Sequence, residues 1–527
     1  MPFDRVLRGG RVVDGTGAPA VRTDVAIQAG VVVALGPGSR GRDEVDCEGH
    51  IIAPGFIDTH SHSDVKVLAE PTIPMKVRQG ITLEVFGQDG ISVAPVRAEE
   101  RDAWKQKLSG LLGDFGVPWM WSSVAGYLVR VAAARPAPDV AYLAPHGALR
   151  QHVMGGEARR ASAEELAGMQ GLLQEALEEG ALGMSTGLIY PPCCYADTAE
   201  LTDLGRVLAR AGRPLVVHMR SESDRIVEAL EEMIEVASAS SCAVHVSHLK
   251  VAGRQNWDRA PEVASLLEGA RARGLRFTAD QYPYVAGSTL LGAILPPWAH
   301  DGGTEATLVR LRDPEARSRM RAQMADTRPA DWDNFWKWSG PEGIVVADVP
   351  SGRHAEWLGK DLGRIASEWG RDPFDAAFDL LLEERMGVAM VSFSQDEAVV
   401  ERFLKLPFVN VCTDGLLGGR PHPRAYGAFP RVLGRYVREK GVLSLEEAVR
   451  KMTSQAASAL GLEGAGLVRE GSRANLVVFD PATVADRATF EDPLQFPDGV
   501  RDVLVGGQFV VRNGAVTGAR PGTLVVG

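Results

Sequence analysis

The chain divides by the texture of its apolar positions. Near the start, RVLRGGRVVDGTG and DVAIQAGVVVAL are short β-branched runs broken by glycine turns, a pattern that predicts hairpins. The same texture returns after Asn475 in ANLVVFD, DVLVGGQFVVRNGAV and GTLVVG, so both ends are expected to pair into one small β-domain. Between about residues 55 and 465, apolar runs of strand length alternate with amphipathic helical stretches. The runs are VAYLAPHG, PLVVHMRSE, CAVHVSHLK, LRFTADQYPY, VAMVSFSQD and FVNVCTDG. Two helices carry start signals, Ser162 with Glu165 and Ser444 with Glu447, and Gly180 marks a stop. Strand and helix alternating over this length specify a parallel α/β architecture.

A closed TIM-like (β/α)8 barrel is the first expectation, because these strands end in polar or ionisable residues and barrel enzymes build their sites at that face. The expected layout is residues 1–54 as one part of a β-sandwich, 55–465 as the barrel and 466–527 as the second part of the sandwich. One stretch, about 285–343, breaks the rhythm with LPPWAHDGG, a charged helical segment and DWDNFWKWSGPEG. It reads as an insertion packing Trp332, Trp336 and Trp338 among themselves, or as a lid over the barrel mouth.

The strand ends carry the candidate chemistry. In GFIDTHSHSD, His60 and His62 are two residues apart, so on an extended chain both point the same way and can hold one metal ion. Asp89 follows ITLEVFGQ, His218 closes PLVVH, His248 ends VHVSH and Asp414 closes FVNVCTD, which makes six nitrogen or oxygen donors at five strand ends. A closed barrel would bring them to one mouth. Imidazole and carboxylate without thiolate suit Zn²⁺, as one or two ions, with Mn²⁺, Fe²⁺ and Co²⁺ as alternatives. His245 has the opposite strand parity to His248 and reads as a hydrogen-bonded supporting residue, whereas His146 in PHG stands open between that and a place in the site.

Composition narrows the function classes. A formal charge of −11 on 527 residues, with no basic run, argues against a nucleic-acid protein without forbidding a local basic pocket. The charges in MPFDRVLRGG and the lack of an uncharged run of about 18 residues argue against a signal peptide or a membrane span, so the cytoplasm is the expected location. Five cysteines without a CxxC pair read as reduced thiols.

With those residues in view, the sequence resembles the amidohydrolase superfamily, and within it the D-aminoacylase (N-acyl-D-amino-acid deacylase) branch. The resemblance rests on PGFIDTHSHSD, GALGMSTGLIYPP, HMRSE, VSHLK, DQYPYVAGST, TDG and HPRAYGAFPRVLGRYVRE, followed by MTSQAASALGL and ANLVVFDP. It implies a β-sandwich with a metal-bearing TIM-like barrel, and hydrolysis of the amide bond of an N-acyl-D-amino acid. His60, His62 and Asp414 would hold one metal position and His218 and His248 the other. The branch commonly places a cysteine ligand in a GNCG turn, where this chain has GQDG with Asp89 at that position. Many superfamily members bridge two metals with a carboxylated lysine, and no lysine stands at a matching strand end here. Arg424 occupies the position that the resemblance assigns to the substrate carboxylate, which a guanidinium fork fits bidentately. Lys250 and Tyr282 match positions near the substrate, and His146 joins them as a candidate contact.

The expected reaction is amide hydrolysis assisted by a metal, with Asp414 taking the proton of water and returning it to the departing amine. The expected partner is a small N-acyl amino acid or related amide, with no nucleic acid and no membrane; self-association is left open. Two rivals are a cyclic-amide or imide hydrolase of the dihydroorotase or hydantoinase type, and a non-catalytic scaffold of the same fold. The Arg424 motif and the missing bridging lysine oppose the first, and the near-complete donor set opposes the second.

Overall fold

Parallel strands and covering helices in strict alternation form the barrel in the computed structural model, which describes residues 2–527. The barrel strands are Phe56–Asp58, Ile81–Phe86, Asp139–Tyr142 continued by Ala144–Pro145, Met184–Gly187, Pro214–His218, Ala243–Val246, Phe277–Gln281 and Val409–Val411. Each pairs in parallel with its neighbour. The ring closes where Ser61 bridges Gly415 and the Asp414 amide donates to the His60 carbonyl at 2.9 Å. All strands being parallel, their C-terminal ends share one face, and the donor residues sit there. Outside the ring, one continuous apolar cluster that includes Leu149, Leu173, Leu204, Leu230 and Leu267 holds the helices to the strands.

The two chain ends share one sheet. Leu476–Phe479 pairs antiparallel with Ile51–Pro54, which on its other side pairs in parallel with Phe3–Val12. Leu7, Val25, Ile27, Leu476, Val478 and Leu504 fill a core of this domain's own. Its junction with the barrel is aromatic: Phe56 stacks on Phe429 at 5.5 Å and packs against Phe479 at 6.4 Å. Helix starts follow the local signals. Ser162 and Glu165 make both bonds of a capping box, whereas Ser444 accepts from the Glu447 amide while the Glu447 carboxylate turns to Arg450 instead.

The insertion is larger than the sequence suggests. Ala286–Leu290, Ile344–Asp348 and Ala389–Phe393 form a separate antiparallel sheet, with Ala389–Phe393 in its centre. The run VAMVSFSQD, expected as a barrel strand, therefore belongs to the insertion. Its continuous apolar pattern is what a buried strand shows in either setting, so periodicity alone does not separate the two. Trp336 is buried in the insertion's own core and Trp332 and Trp338 pack against it. The tip of the insertion also touches the barrel mouth: buried Asp333 accepts from Ser221 Oγ at 2.6 Å, the Glu222 amide at 2.8 Å and Ser223 Oγ at 2.8 Å. Among the described residues, no helix is long and apolar enough to cross a membrane.

The aromatic junction carries a stability prediction. Phe56→Ala removes a fully buried ring shared by strand, helix and β-domain, and should cost roughly 3–5 kcal/mol. A melting temperature equal to that of the wild type would show that the junction contributes nothing.

Candidate metal centre

The donors meet because each follows a strand directly. His60 and His62 lie just past the first strand, Asp89 past the second, His218 ends the fifth, His248 follows the sixth and Asp414 the eighth. All six are buried, Asp414 the most accessible at 5 %. Three of them, Asp89, His248 and Asp414, have left-handed backbone with φ of 56°, 36° and 48°. Asp and His tolerate that region better than most residues, but it is sparsely populated and needs support. The support is visible: the His248 amide donates to Asp280 Oδ1 at 2.5 Å, and Gly90, after Asp89, donates to Ser185 Oγ at 3.0 Å. Gly87 and Gly90 of the GQDG turn have φ of 79° and 68°, and a side chain on Gly87 would collide with the Leu143 carbonyl.

The donor atoms fall into two groups that share Asp89. One is His60, His62, Asp89 and Asp414, the other Asp89, His218 and His248, with atoms in each group within 4.8 Å of one another. Asp89 faces each group with a different oxygen. Its Oδ2 lies 3.6 Å from His60 Nε2 and 3.5 Å from His62 Nε2, and its Oδ1 lies 3.8 Å from His218 Nδ1 and 3.5 Å from His248 Nε2. Asp414 Oδ1 is 3.6 Å from His60 Nε2 and 3.3 Å from His62 Nε2. Ligands held at about 2.0–2.1 Å around a tetrahedral ion stand roughly 3.3 Å apart, which is the spacing observed. His60 Nε2, His62 Nε2 and Asp89 Oδ1 are buried without a hydrogen-bond partner. Orphaned polar atoms of this kind at cation-ligand spacing fit a divalent ion such as zinc.

The electrostatics point the same way. Burial would raise both carboxylates, but the surrounding imidazoles, and for Asp414 the Arg424 guanidinium first, hold them well below the usual range. Burial pushes His218 down to about 4, leaving a neutral ligand. Two imidazoles go the other way: against burial, Asp414 and Asp89 hold His62 up to about 9, and against burial and the Lys250 charge, Glu222, Asp414 and Asp89 hold His248 up to about 10. In the protein alone the protons on these two rings do what a cation would do.

Around the donors stand the expected substrate contacts. Lys250 Nζ is 2.7 Å from His248 Nδ1 and 2.5 Å from Glu222 Oε1, and 5.7 Å from the Tyr282 ring. Arg424 also neighbours Tyr282, its guanidinium 4.2 Å from that ring centroid and Nη1 2.9 Å from Asp414 Oδ2. Arg424 Nε and Nη1 are buried without an aligned acceptor, so the approach to Asp414 is an ion pair rather than a hydrogen bond.

His146 departs from its expected place. Its Nδ1 is 2.9 Å from Thr186 Oγ1 and its Nε2 2.8 Å from Glu200 Oε1, which also holds Arg150. Both ring nitrogens are engaged inside the wall, and none is left for a substrate. His245 is held likewise by Thr278 at 2.8 Å and Asp280 at 3.0 Å, as its parity implied. Sequence reasoning passed over Glu222, which sits 3.0 Å from His248 Nδ1 and 3.6 Å from His218 Nε2 and orients both rings. Its signal was the i+4 spacing from His218 in HMRSE.

Comparison with known proteins identifies the family and fold that carry this site. The model of the amidohydrolase family matches residues 43–511. The chain is 36% identical over 527 residues to the D-aminoacylase of Alcaligenes xylosoxydans xylosoxydans, covering 99% of this chain and 98% of that one. It is also 36% identical over 529 residues to the N-acyl-D-aspartate deacylase of the same organism, covering 99% and 95%. Among solved structures, the N-acyl-D-glutamate deacylase of Bordetella bronchiseptica, complexed with zinc and a phosphonate mimic of the tetrahedral intermediate, superposes with a TM-score of 0.84 at 34% identity over the whole of both chains.

Two predictions follow from the donor set. Asp89→Ala should lower bound metal, because this residue faces both groups; unchanged occupancy and affinity would leave Asp89 a turn residue only. Zinc binding near neutral pH should release protons, since His62 and His248 are protonated below about 9 and about 10 and must lose those protons to become ligands. Calorimetric titration in buffers of different ionisation enthalpy reads this directly, and a heat independent of buffer would contradict it.

Proposed function

The chain belongs to the amidohydrolase family, and from that membership and the buried donor set we propose that it hydrolyses the amide bond of N-acyl-D-amino acids, with one or two zinc ions held by His60, His62, Asp89, His218, His248 and Asp414. The observation that carries the reading is the convergence of these donors beside Arg424, a buried cation with unaligned N–H groups. Zinc so held supplies Lewis acidity toward the scissile carbonyl and makes water acidic near pH 7.

The protein's own groups divide the remaining work. Asp414 Oδ1, beside His60 and His62, accepts the proton of the attacking water while Arg424 steadies Oδ2. The same carboxylate then returns the proton to the departing nitrogen, so that the amine leaves neutral. Arg424 meets the substrate carboxylate with its remaining N–H groups, and the face of Tyr282 keeps the guanidinium planar to the site. Lys250 adds a second positive group, its charge partly answered by Glu222. A hydantoin or other cyclic imide without a carboxyl group leaves Arg424 without a substrate partner, which favours the linear N-acyl amino acid over that class. The relatives include a D-aminoacylase, an N-acyl-D-glutamate deacylase and an N-acyl-D-aspartate deacylase, all at 36% identity, so the side chain preferred is left to the assay.

Amine release should be seen from N-acetyl-D-amino acids, should exceed that from the L-enantiomers and cyclic imides, and should vanish on metal removal and return with zinc. Asp414→Asn should lose about 10²-fold or more in kcat. Arg424→Ala should lose on the order of 100-fold in kcat/KM on an N-acyl amino acid and far less on its α-carboxamide. Equal losses on acid and carboxamide would remove Arg424 from carboxylate recognition, and turnover of cyclic imides alone would replace the linear substrate.

A further inference from the structure

The seam that closes the barrel is short. The first and eighth strands have three residues each, and among the described residues their strand-to-strand pairing is the single bridge Ser61–Gly415. A buried lysine does the work of the missing ladder. Lys76, fully buried, donates from Nζ to Asp58 Oδ2 at 2.7 Å, Ser61 Oγ at 2.9 Å and Thr413 Oγ1 at 2.7 Å, and lies 3.2 Å from Glu84 Oε2. Asp58 accepts the Thr413 amide at 2.8 Å and its hydroxyl at 2.6 Å. Glu84 accepts Ser61 Oγ at 2.6 Å and Ser63 Oγ at 2.7 Å.

These partners alternate with the metal donors along the chain. Ser61 stands between His60 and His62, Ser63 follows His62, and Thr413 precedes Asp414. Ser61 and Ser63 lie on one side, Oγ to Oγ at 2.9 Å, the His60 and His62 rings sit together at 5.2 Å, and Thr413 is bonded into the network one residue before Asp414, so a network that grips 61, 63 and 413 constrains what 60, 62 and 414 present. The chain accepts strain to place the lysine. Lys76 lies in the single helical turn Pro74–Val77, entered through Ile73, a buried β-branched residue at φ 37°. Past its end, Gln79 donates to the carbonyls of Met75 at 2.8 Å and Ala425 at 2.9 Å, which ties the segment to the helix that carries Arg424.

We propose that Lys76 is a positioning residue for the His60–His62–Asp414 donors, setting their spacing through Asp58, Ser61 and Thr413 while touching neither metal nor substrate. The proposal rests on the metal-holding role assigned above. Removing the lysine alone leaves Asp58 and Glu84 buried without their cation, which is strongly destabilising, so the test uses Lys76→Met together with Glu84→Gln, a pair that preserves the network's net charge. Zinc affinity is measured calorimetrically for each donor group separately, in a His218→Ala/His248→Ala background and in a His60→Ala/His62→Ala background, with melting curves to establish folding.

The paired change should weaken zinc by about 10- to 100-fold in the first background, the usual effect of losing a residue that orients ligands, and leave the second unchanged. Equal weakening in both backgrounds would mean a general structural role and overturn the proposal, as would no weakening in either. If neither background nor the unaltered protein binds zinc, the metal reading itself falls and this inference falls with it.

Discussion

Two carboxylates and four imidazoles meet almost without solvent at the mouth of the barrel, and most of the surrounding structure answers that concentration of buried donors. Isolated charges in such a place are expensive, and they persist only when paired, hydrogen-bonded or bound to a cation. The protein supplies part of the answer in Arg424 against Asp414 and Lys250 against Glu222. Protons on His62 and His248 supply another part. The rest is the role of a divalent ion, whose ligands the orphaned atoms of His60, His62 and Asp89 already resemble in spacing.

Precise placement of the donors comes from partners that never reach the metal. Asp280 illustrates the economy of the arrangement: Oδ1 takes the amide of His248, and Oδ2 takes Thr59 Oγ1 at 2.6 Å and His245 Nε2 at 3.0 Å. One carboxylate thus joins the first, sixth and seventh strands and holds a left-handed histidine in place. Glu222 does the same for the rings of His218 and His248 from the loop after the fifth strand, and that loop is in turn gripped by Asp333 of the insertion. The insertion and the metal donors are therefore two contacts apart, which makes the insertion part of the site's geometry as well as of its surroundings.

Much of this was legible in the chain. The i, i+2 spacing of His60 and His62, and single donors closing apolar runs, located every member of both donor groups, because a parallel barrel converts strand ends into neighbours whatever their separation in sequence. The sequence did not show which apolar runs were barrel strands, since Ala389–Phe393 is as continuously buried as Pro214–His218 yet lies in another sheet. Nor did it show which polar residues were already spent. His146 stands at a strand end like His218, and only its contacts with Thr186 and Glu200 show that it is part of the wall. Lys76 was invisible for a related reason: a lysine on a short turn reads as surface, and its burial depends on Asp58 and Glu84 arriving from two other strands.

Asp89 is where local chemistry has the widest consequence. The resemblance implies a cysteine at this place in the branch, and a thiolate offers one soft atom, whereas the carboxylate offers two hard ones. The two oxygens of Asp89 are divided between the two donor groups, Oδ2 toward His60 and His62 and Oδ1 toward His218 and His248. A carboxylate can span two ions in that orientation without crowding them onto a single atom, and it relaxes the preference for metals that favour sulfur. It can do so only because the turn presents it correctly: Asp89 tolerates φ of 56° between two glycines that also require positive φ, so the residue that replaces the thiolate is also one that the backbone of this turn accepts. A carboxylate at this position therefore changes the donor chemistry of the turn through one side chain that its backbone already accepts.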